Sequence, residues 1–379
     1  MLRRCLALTP LLAAMPMTSG PSPTPTVLVW RCSQQHPVRL EIESPERHVI
    51  TVNRGVLQLD GGASVAPLRF ESATWRVVGR GGFEQRDHSA LSVQAHDGEL
   101  RLIAELPLEE WVARAVAAES LIDTPTEALR AQAIVSRSFA LAKGRRHPIA
   151  QLCDLAHCAS LTSPSSAALR VAALNAAEAT RGLVLRDANG SVLRAVFHRC
   201  CGGGTADPRL VFGGDDDTGA APCEEPECAN ERWQATVPRL RVEQAAAKAF
   251  GVSTRPAWQH LQLQYRPDGR VARVVNGASG RFATGDQFAR ALDAALGWGT
   301  VRSTRFSWRK DGEQIVMSGA GSGHGVGLCQ LGAARWATRG DDAEQILRRY
   351  FPHSNLASLT PLSLSAASSL GTTRPGERR

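Results

Sequence analysis

The amino-acid sequence predicts an α+β fold, in which a β-rich N-terminal portion precedes a mixed core of helices, hairpins and a subsidiary lobe. Short runs of alternating apolar and polar residues fill positions 26–105, and apolar residues at helical spacing follow them. A hydrophobic fraction of 43% in 379 residues can fill a substantial core. We expect the mixed core at 106–352 and the lobe at about 239–310 within it.

The first 25 residues have the pattern of a signal peptide. Residues 1–4 carry two arginines, and residues 5–17 form a mainly apolar stretch that is short and interrupted by Pro10 and Pro16. No later segment is apolar and long enough to cross a bilayer. We therefore expect a signal peptide at 1–25, whose cleavage site the sequence does not define, and an exported protein in the periplasm or outside the cell.

The formal net charge of +8 suits an acidic partner, and both nucleic acid and an anionic wall polymer meet that description. The basic residues are scattered, however, and no helix carries a basic run interleaved with aromatic residues. We therefore expect no nucleic-acid partner.

Three runs in the N-terminal portion alternate in the manner of half-buried strands, at 38–42, 49–52 and 100–104. Glycine, aspartate and proline residues separate them, as turns require. The runs predict at least three strands of one sheet.

The helical part begins after Pro107, where four apolar residues recur at helical spacing: Trp111, Val112, Ala115 and Val116. This pattern predicts a helix that ends near Glu119.

A second helix has clear start signals. Thr124 is suited to the N-cap, Pro125 to the first helical position, and Glu127 to the closing position of a capping box. We expect this helix to continue to about Lys143 and to end at Gly144.

The remaining elements follow in order along the chain. An alanine-rich helix is predicted at 164–181, a hairpin around Asn189 and Gly190 with a second strand at 191–198, and a strand of the lobe at 261–265. A glycine loop at 319–327 leads to two helices, of which Asp341 caps the second and Pro352 ends it. The composition of 353–379 predicts a disordered tail.

Eight cysteines remain if the signal peptide is removed, and an oxidising compartment would permit disulfides among them. Cys153 and Cys158, together with His147 and His157, form a nitrogen and sulfur set suited to zinc. A disulfide between the two cysteines is the alternative. Either arrangement predicts a structural role.

Cys223 and Cys228 indicate a second local clip, which could involve Cys200 or Cys201. A metal is the less favoured interpretation there, because no histidine lies close in sequence.

Three separated stretches resemble the SpoIID/LytB family, whose founding members are a sporulation cell-wall lytic transglycosylase and a protein described as an amidase enhancer. Between the second and third stretches, Ser279 to Arg281 and Leu296 to Gly297 also match the family pattern. The resemblance covers roughly 106–352. The stretches are 106–120 continuing through 127–140, then 176–205, and then 323–333 followed by 346–352.

The resemblance implies a peptidoglycan lytic transglycosylase that is associated with the cell wall. In the lytic members, the acidic residue of the Ala-Ala-Glu motif is the catalytic acid, which corresponds here to Glu119. Residues 159–161 depart from the Gln-x-Tyr that is usual after the His-Cys pair, which puts part of the glycan subsite in doubt. The candidate substrate-binding residues are Arg130, Gln132, Arg137, His198, His324 and Gln330.

A lytic transglycosylase can work with one carboxylate and requires no cofactor for catalysis. That carboxylate must be protonated at working pH, and we expect burial beside Val116, Leu121 and Ile122 to raise the pKa of Glu119. The structural alternative is a solvated glutamate near a helix end, where a negative charge would need compensation.

The candidate binding residues have structural alternatives as well. Arg130 and Arg137 lie seven residues apart and share a helical face, which suits a glycan strand or, for Arg130, a solvated basic surface. Gln132 suits a core amide, and His324 a hydrogen-bonded histidine inside a tight loop. Gln330 suits the start of a helix.

Two other functions remain open. A non-catalytic peptidoglycan-binding protein that activates a separate cell-wall amidase would use the same groove without requiring an acid. A cysteine amidase or peptidase would use Cys329 as nucleophile beside His324, although no acid partner for this pair is evident.

Overall fold

The predicted α+β class is confirmed by a computed structural model that describes residues 26–32, 35–64, 67–143, 147–155, 158–161, 166–214, 217–297 and 299–359. The predicted signal peptide at 1–25 and the predicted helix end at Gly144 lie outside the described residues.

The described ranges contain eight α-helices. They are α1 Leu108–Glu119, α2 Thr126–Leu141, α3 Ala167–Ala179, α4 Pro208–Phe212, α5 Arg239–Phe250, α6 Gly285–Leu296, α7 Gln330–Thr338 and α8 Ala343–Tyr350.

The same ranges contain nineteen strands. They are β1 Thr26–Arg31, β2 Pro37–Ser44, β3 His48–Asn53, β4 Val56–Leu59, β5 Gly62–Ser64, β6 Leu68–Gly79, β7 Glu84–His96, β8 Glu99–Pro107, β9 Leu152–Cys153, β10 Leu183–Arg186, β11 Phe197–His198, β12 Arg232–Pro238, β13 Leu261–Tyr265, β14 Val271–Asn276, β15 Phe282–Thr284, β16 Phe306–Asp311, β17 Gln314–Ala320, β18 Leu328–Cys329 and β19 Asn355–Ser358.

The N-terminal portion forms one nine-stranded sheet in the order β5-β4-β3-β2-β6-β7-β8-β1-β9. The three predicted strand runs lie within β2, β3 and β8, as expected from their alternation. Short β9 adds in parallel beside β1, through Val29 with Leu152 and Trp30 with Cys153. The sheet therefore holds Cys153 at its edge.

The sheet and the first three helices share one hydrophobic core. Trp75 of β6 and Trp111 of α1 are both fully buried in the same cluster, which also contains Val135 of α2 and Ala173 of α3. The predicted boundary between residues 105 and 106 therefore lies inside β8, and one hydrophobic core extends across it.

The start of α2 differs from the predicted capping box. The Thr124 hydroxyl donates to the Leu121 carbonyl instead of accepting from the helix, and Pro125 takes the N-cap position. The Glu127 carboxylate pairs with Arg130 and accepts the backbone N–H of Ala343. The predicted capping box is wrong. The Glu127 carboxylate, which would have closed it, binds the backbone at the start of α8 instead.

The predicted hairpin is only partly formed. Its first arm is β10, and after the turn an isolated bridge joins Arg186 to Val192, but only Phe197–His198 of the second arm is a strand. The main partner of β10 is β19, which pairs with it over its full length. Strand β19 lies inside 353–379, so the ordered chain continues past the expected start of the tail; residues 360–379 lie outside the described residues.

The subsidiary lobe has a separate hydrophobic core, which extends from Trp233 to Met317. It is wider than 239–310 because β12 pairs with β17 along seven residues and closes the lobe. The predicted strand at 261–265 is confirmed as β13.

The last two helices begin and end close to their predicted positions. Helix α8 is capped by Asp342, whose carboxylate accepts from the Gln345 N–H, and not by Asp341. The Asp341 carboxylate instead forms an ion pair with Arg349 near the end of α8. None of the helices in the described ranges is both long enough and apolar enough to cross a membrane.

Candidate active site

Glu119 is the last residue of α1, and its side chain is half-buried. The helix has no basic residue in its last turn, and no ion pair reaches Glu119 from any described residue. Of the three apolar neighbours expected to bury Glu119, Val116 is fully buried, whereas Leu121 and Ile122 are 40% and 59% exposed. Chain segments far away in sequence surround the carboxylate instead.

Residues 158–161 cover the Glu119 carboxylate. The Ser160 N–H donates to Glu119 Oε1 over 2.6 Å, and Ala159 and Leu161 on either side of it are buried. Burial raises the pKa of the Glu119 carboxyl above its usual value of 4.5, and the Ser160 N–H, which favours the ionised form, opposes part of this rise. The carboxyl therefore binds its proton more readily than an exposed glutamate does.

Gln330 joins the histidine loop to the end of α1. Its Nε2 donates to the backbone carbonyl of Glu119 over 3.0 Å. It also lines a small cleft that begins directly after Glu119, together with Ser120, Gln132 and Arg199. The first and third resemblance stretches thus meet beside the candidate acid.

A larger cavity of about 450 Å³ lies between β7 and α1. Ala117, two residues before Glu119, and Leu161, next to Ser160, both line it. Its polar wall includes Asp87 and Arg114, which form an ion pair of 2.7 Å. Space for a ligand therefore adjoins the residues that surround Glu119.

His198 and His324 form a second group. Their ring centroids are 5.6 Å apart, and Phe212 packs against His324 at 5.3 Å. Burial lowers the pKa of His324 to about 4, and Arg270 adds to this effect. His198 is buried and its pKa is also lowered, chiefly by desolvation. Both rings are therefore neutral, and the Nδ1 of His324 accepts the Val326 N–H inside the tight loop.

Arg137 does not line a substrate groove. Its side chain is fully buried, and it forms a bidentate ion pair with Glu109 at 2.9 and 2.5 Å. It also donates to the backbone carbonyls of Ala177 and Leu183. The predicted substrate contact is wrong because α3 and β10 cover this half of α2.

The other two predicted residues of α2 also have protein partners. Arg130 is half-buried and pairs with Glu127 at 2.5 Å. Gln132 is 2% exposed, and its Nε2 donates to the Ser136 hydroxyl over 3.4 Å, whereas its Oε1 has no hydrogen-bond partner among the described residues. Of the two, only Gln132 reaches the cleft beside Glu119.

The predicted metal set comes together at the edge of the large sheet. The ligand atoms of His147, Cys153 and Cys158 lie within 4.8 Å of one another, and His147 Nε2 is 3.3 Å from Cys158 Sγ. His157, the fourth predicted ligand, lies outside the described residues. Two thiols and an imidazole at this spacing fit a zinc ion.

Cys329 is not placed as a nucleophile for His324. It is fully buried, and its sulfur accepts the backbone N–H groups of Cys201 and Gly332 at 3.3 and 3.4 Å. No described contact links it to His324. The predicted clip between Cys223 and Cys228 is also wrong, because the Cys228 sulfur lies 3.7 Å from that of Cys329.

Sequence reasoning missed two residues that shape the site. Glu109 neutralises Arg137, and Ser160 supplies the N–H that holds Glu119. Each pairing joins residues 28 or more positions apart, and no local pattern marks either one. In the sequence, Glu109 and Ser160 belong to no motif that would mark them as site residues.

Comparison with known proteins supports one family. The model of the family SpoIID, described as stage II sporulation protein, matches residues 96–186, which include Glu119 and the whole covering segment at 158–161. The chain is 26% identical over 285 residues to stage II sporulation protein D of Bacillus amyloliquefaciens, covering 69% of this chain and 78% of that protein.

Two proteins of Bacillus subtilis are also similar. Its stage II sporulation protein D is 23% identical over 299 residues, covering 73% of this chain and 82% of that protein. Its amidase enhancer is 37% identical over 67 residues, but these are 18% of this chain and 10% of that protein.

Proposed function

The chain belongs to the SpoIID/LytB family, and on this premise we propose that it acts on the bacterial cell wall as a lytic transglycosylase that cleaves the glycan strands of peptidoglycan. One observation carries the proposal. The half-buried Glu119 carboxylate is partly withdrawn from water without a described cation beside it, so that its pKa is raised. This is the state that a general acid needs.

The reaction uses Glu119 twice. The protonated carboxyl first donates to the glycosidic oxygen that leaves C1 of the muramic acid residue. The resulting carboxylate then takes the proton of the C6 hydroxyl as its oxygen attacks C1. The glycosidic bond breaks, a 1,6-anhydro bond forms, and Glu119 is protonated again without the consumption of water.

The residues around Glu119 position it for this exchange. The Ser160 N–H holds Oε1, and no described residue donates to Oε2, so that Oε2 is the oxygen that exchanges the proton with the substrate in this proposal. Gln330 holds the backbone at the same residue and fixes the end of α1 against the histidine loop. The acid is thus held from two sides by parts of the chain that are distant in sequence.

The His147, Cys153 and Cys158 cluster supports the covering segment. Cys158 is two residues before Ser160, so a zinc ion held by this cluster would restrain the segment that donates to Glu119. The ion supplies structure and no chemistry to the reaction in this proposal, and a Cys153 to Cys158 disulfide would restrain the same segment.

The test is a digestion of purified peptidoglycan, both intact and stripped of its stem peptides, with analysis of the fragments by mass. The wild-type protein should release fragments with 1,6-anhydro-muramyl ends. Glu119→Gln keeps the shape of the side chain but removes its acid, and should lower the rate by about 10²- to 10⁴-fold.

The matched control is Glu178→Gln, which changes an exposed glutamate near the C-terminal end of another helix, α3. It should retain full activity. Equal rates for the wild type and Glu119→Gln, or products with reducing ends instead of anhydro ends, would contradict the proposal.

The similarity to an amidase enhancer supports a second candidate, a non-catalytic activator of a cell-wall amidase. In that case the protein alone would leave the wall fragments unchanged, and an added amidase would digest the wall faster in its presence. Glu119→Gln would then activate as well as the wild type. Either function places the protein at peptidoglycan, outside the cytoplasmic membrane, in agreement with the predicted export.

A further inference from the structure

Four buried cysteines from three distant parts of the chain meet beneath the histidine loop. Cys200 and Cys201 follow β11, Cys228 lies in a short 3₁₀ turn at Pro226–Asn230, and Cys329 ends β18. None is more than 2% exposed. We propose that these four residues, here called the four-cysteine cluster, bind a structural zinc ion, separate from the set at His147.

The spacing of the sulfur atoms fits a shared metal ion. The ligand atoms of Cys200, Cys228 and Cys329 all lie within 4.8 Å of one another, and the sulfurs of Cys228 and Cys329 are 3.7 Å apart. A disulfide requires about 2.0 Å. Two thiolates on one tetrahedral zinc, each about 2.3 Å from the metal, lie about 3.8 Å apart.

Hydrogen-bond donors point at these sulfurs. Cys329 accepts the N–H groups of Cys201 and Gly332, the second of which lies in the first turn of α7. Arg335 Nη1 lies 2.9 Å from the Cys228 sulfur. Positive donors and a helix N-terminus stabilise thiolates, the form that binds zinc. A side chain at Gly332 would meet the Tyr350 hydroxyl at 2.3 Å, so this approach requires glycine.

His198 provides an independent sign of a ligand. It is 4% exposed, and its Nδ1 donates to the Val326 carbonyl over 3.0 Å, whereas its Nε2 has no hydrogen-bond partner among the described residues. A ligand nitrogen of this ring lies within 4.8 Å of the sulfurs of Cys201 and Cys329. Donation from one ring nitrogen to a carbonyl is the usual way to orient the other nitrogen towards a metal. A structural zinc takes four ligands, so His198 is the alternative to one of the four cysteines as the fourth ligand.

The guanidinium of Arg270 is a buried cation beside the four-cysteine cluster, and a negative charge nearby would compensate for it. Arg270 is fully buried, and its Nη2 donates to the Cys201 carbonyl over 2.6 Å. Its Nε and Nη1 have no hydrogen-bond partner among the described residues, and the nearest carboxylate, of Asp268, is 3.8 Å away. A buried guanidinium whose one described ion pair is this long is incompletely compensated, which is costly. A zinc ion with four thiolates carries a net charge of −2 and would compensate for it.

The proposed ion would tie the second resemblance stretch to the third. Strands β11 and β18 pair over only two residues, His198 with Cys329 and Phe197 with Leu328. A metal that joins Cys200, Cys201 and Cys329 would hold this short pair together and fix the loop that carries His324. This role is structural and does not depend on the reaction proposed for Glu119.

The test measures zinc in the full chain purified without chelators. The double variant Cys153→Ser/Cys158→Ser removes the other cysteine set and leaves the four-cysteine cluster intact. We expect about one zinc ion per chain in this variant, bound at a thiolate site. Replacement by Co²⁺ should give the strong visible absorption of a tetrahedral thiolate centre.

Adding Cys228→Ser to the double variant should remove the remaining zinc. Adding Cys223→Ser is the matched control, because that sulfur lies outside the cluster and contacts the Glu224 carbonyl; zinc should remain. If the variant with the added Cys228→Ser change does not fold, the zinc content of the Cys153→Ser/Cys158→Ser variant alone tests the proposal. Absence of zinc from the folded double variant would overturn the proposal, whether its four thiols are free or oxidised to disulfides.

Discussion

The two ends of helix α1 each carry a glutamate that is shielded from water, but within the described residues only one of them has a cation beside it. Glu109 is 6% exposed and receives both the Nε and Nη2 of Arg137. Glu119 is half-buried and receives one backbone N–H, from Ser160. The comparison shows how one residue type on one helix can be structural at one end and suited to chemistry at the other.

Different parts of the chain shield the two carboxylates. Helix α3 and the residue before β10 surround the ion pair of Glu109 with Arg137. The Ala177 carbonyl of α3 accepts a hydrogen bond from Arg137, and the Gly182 N–H donates one to Glu109. The segment 158–161, which has no regular secondary structure, covers Glu119. A buried carboxylate with a bidentate guanidinium holds its charge in place, whereas one with a single N–H remains free to exchange a proton.

The largest effect is expected at the structural end. Arg137→Met removes the cation and leaves the Glu109 charge buried, which should lower the free energy of unfolding by about 3–5 kcal/mol. Urea unfolding measures the change. Arg181→Met, which breaks the exposed pair with Glu178, is the control and should have an effect below about 1 kcal/mol.

The double variant Glu109→Gln/Arg137→Met sharpens the comparison. Replacing both charges should recover much of the lost stability, because no uncompensated charge remains. If Arg137→Met alone changed the free energy of unfolding only slightly, the ion pair at Glu109 would not have the structural role that distinguishes it from Glu119.

At the Glu119 end of α1, activity should depend on pH through the proton of the Glu119 carboxyl. The Glu119 pKa is raised by burial, and the acid must be protonated to start the reaction. Above this pKa, kcat/KM should therefore fall by about tenfold per pH unit, or about 1.4 kcal/mol in activation free energy. A pH profile of glycan cleavage that is flat through the range above 4.5 would contradict this assignment.

The same raised pKa has a consequence for stability. The folded state binds the Glu119 proton more tightly than the unfolded state, so this contribution is complete below the unfolded pKa near 4.5 and is lost as the pH rises through the folded pKa. Glu119→Gln cannot ionise. Its stability relative to the wild type should therefore increase as the pH rises through that window, as thermal unfolding at several pH values would show.

A smaller effect is expected where α7 meets α1. Gln330→Ala removes the hydrogen bond to the Glu119 carbonyl and should lower the free energy of unfolding by about 1 kcal/mol. If Gln330 also fixes the acid, the variant should lose more activity than its stability explains. Thr338→Ala is a control at the other end of α7, where the hydroxyl donates only within the helix.

The smallest effect is expected for Arg130→Ala, because the pair with Glu127 is partly exposed. The free energy of unfolding should change by about 0.5 kcal/mol or less. A large rise in KM for peptidoglycan at unchanged kcat would instead show that Arg130 binds the glycan strand, as the sequence resemblance implies.

Local patterns predicted the elements well. The apolar spacing at Trp111 and Val112 predicted α1 with Glu119 at its end, and alternation predicted three of the nine described strands of the large sheet. The capping box at Thr124 failed because a distant backbone N–H, that of Ala343, occupies the Glu127 carboxylate. Local signals hold only where no distant partner competes for the same group.

The sequence alone determined the fold class, the positions of five of the eight helices and a few of the strands in the described residues, and the placement of one glutamate at a helix end, because periodicity and turn residues act over a few positions. Only the tertiary structure decided that Arg137 is buried and Arg130 is not, that Ser160 donates to Glu119, and that Cys228 meets Cys329 across 101 positions. These outcomes depend on which elements pack together, and packing joins residues whose separation along the chain carries no signal.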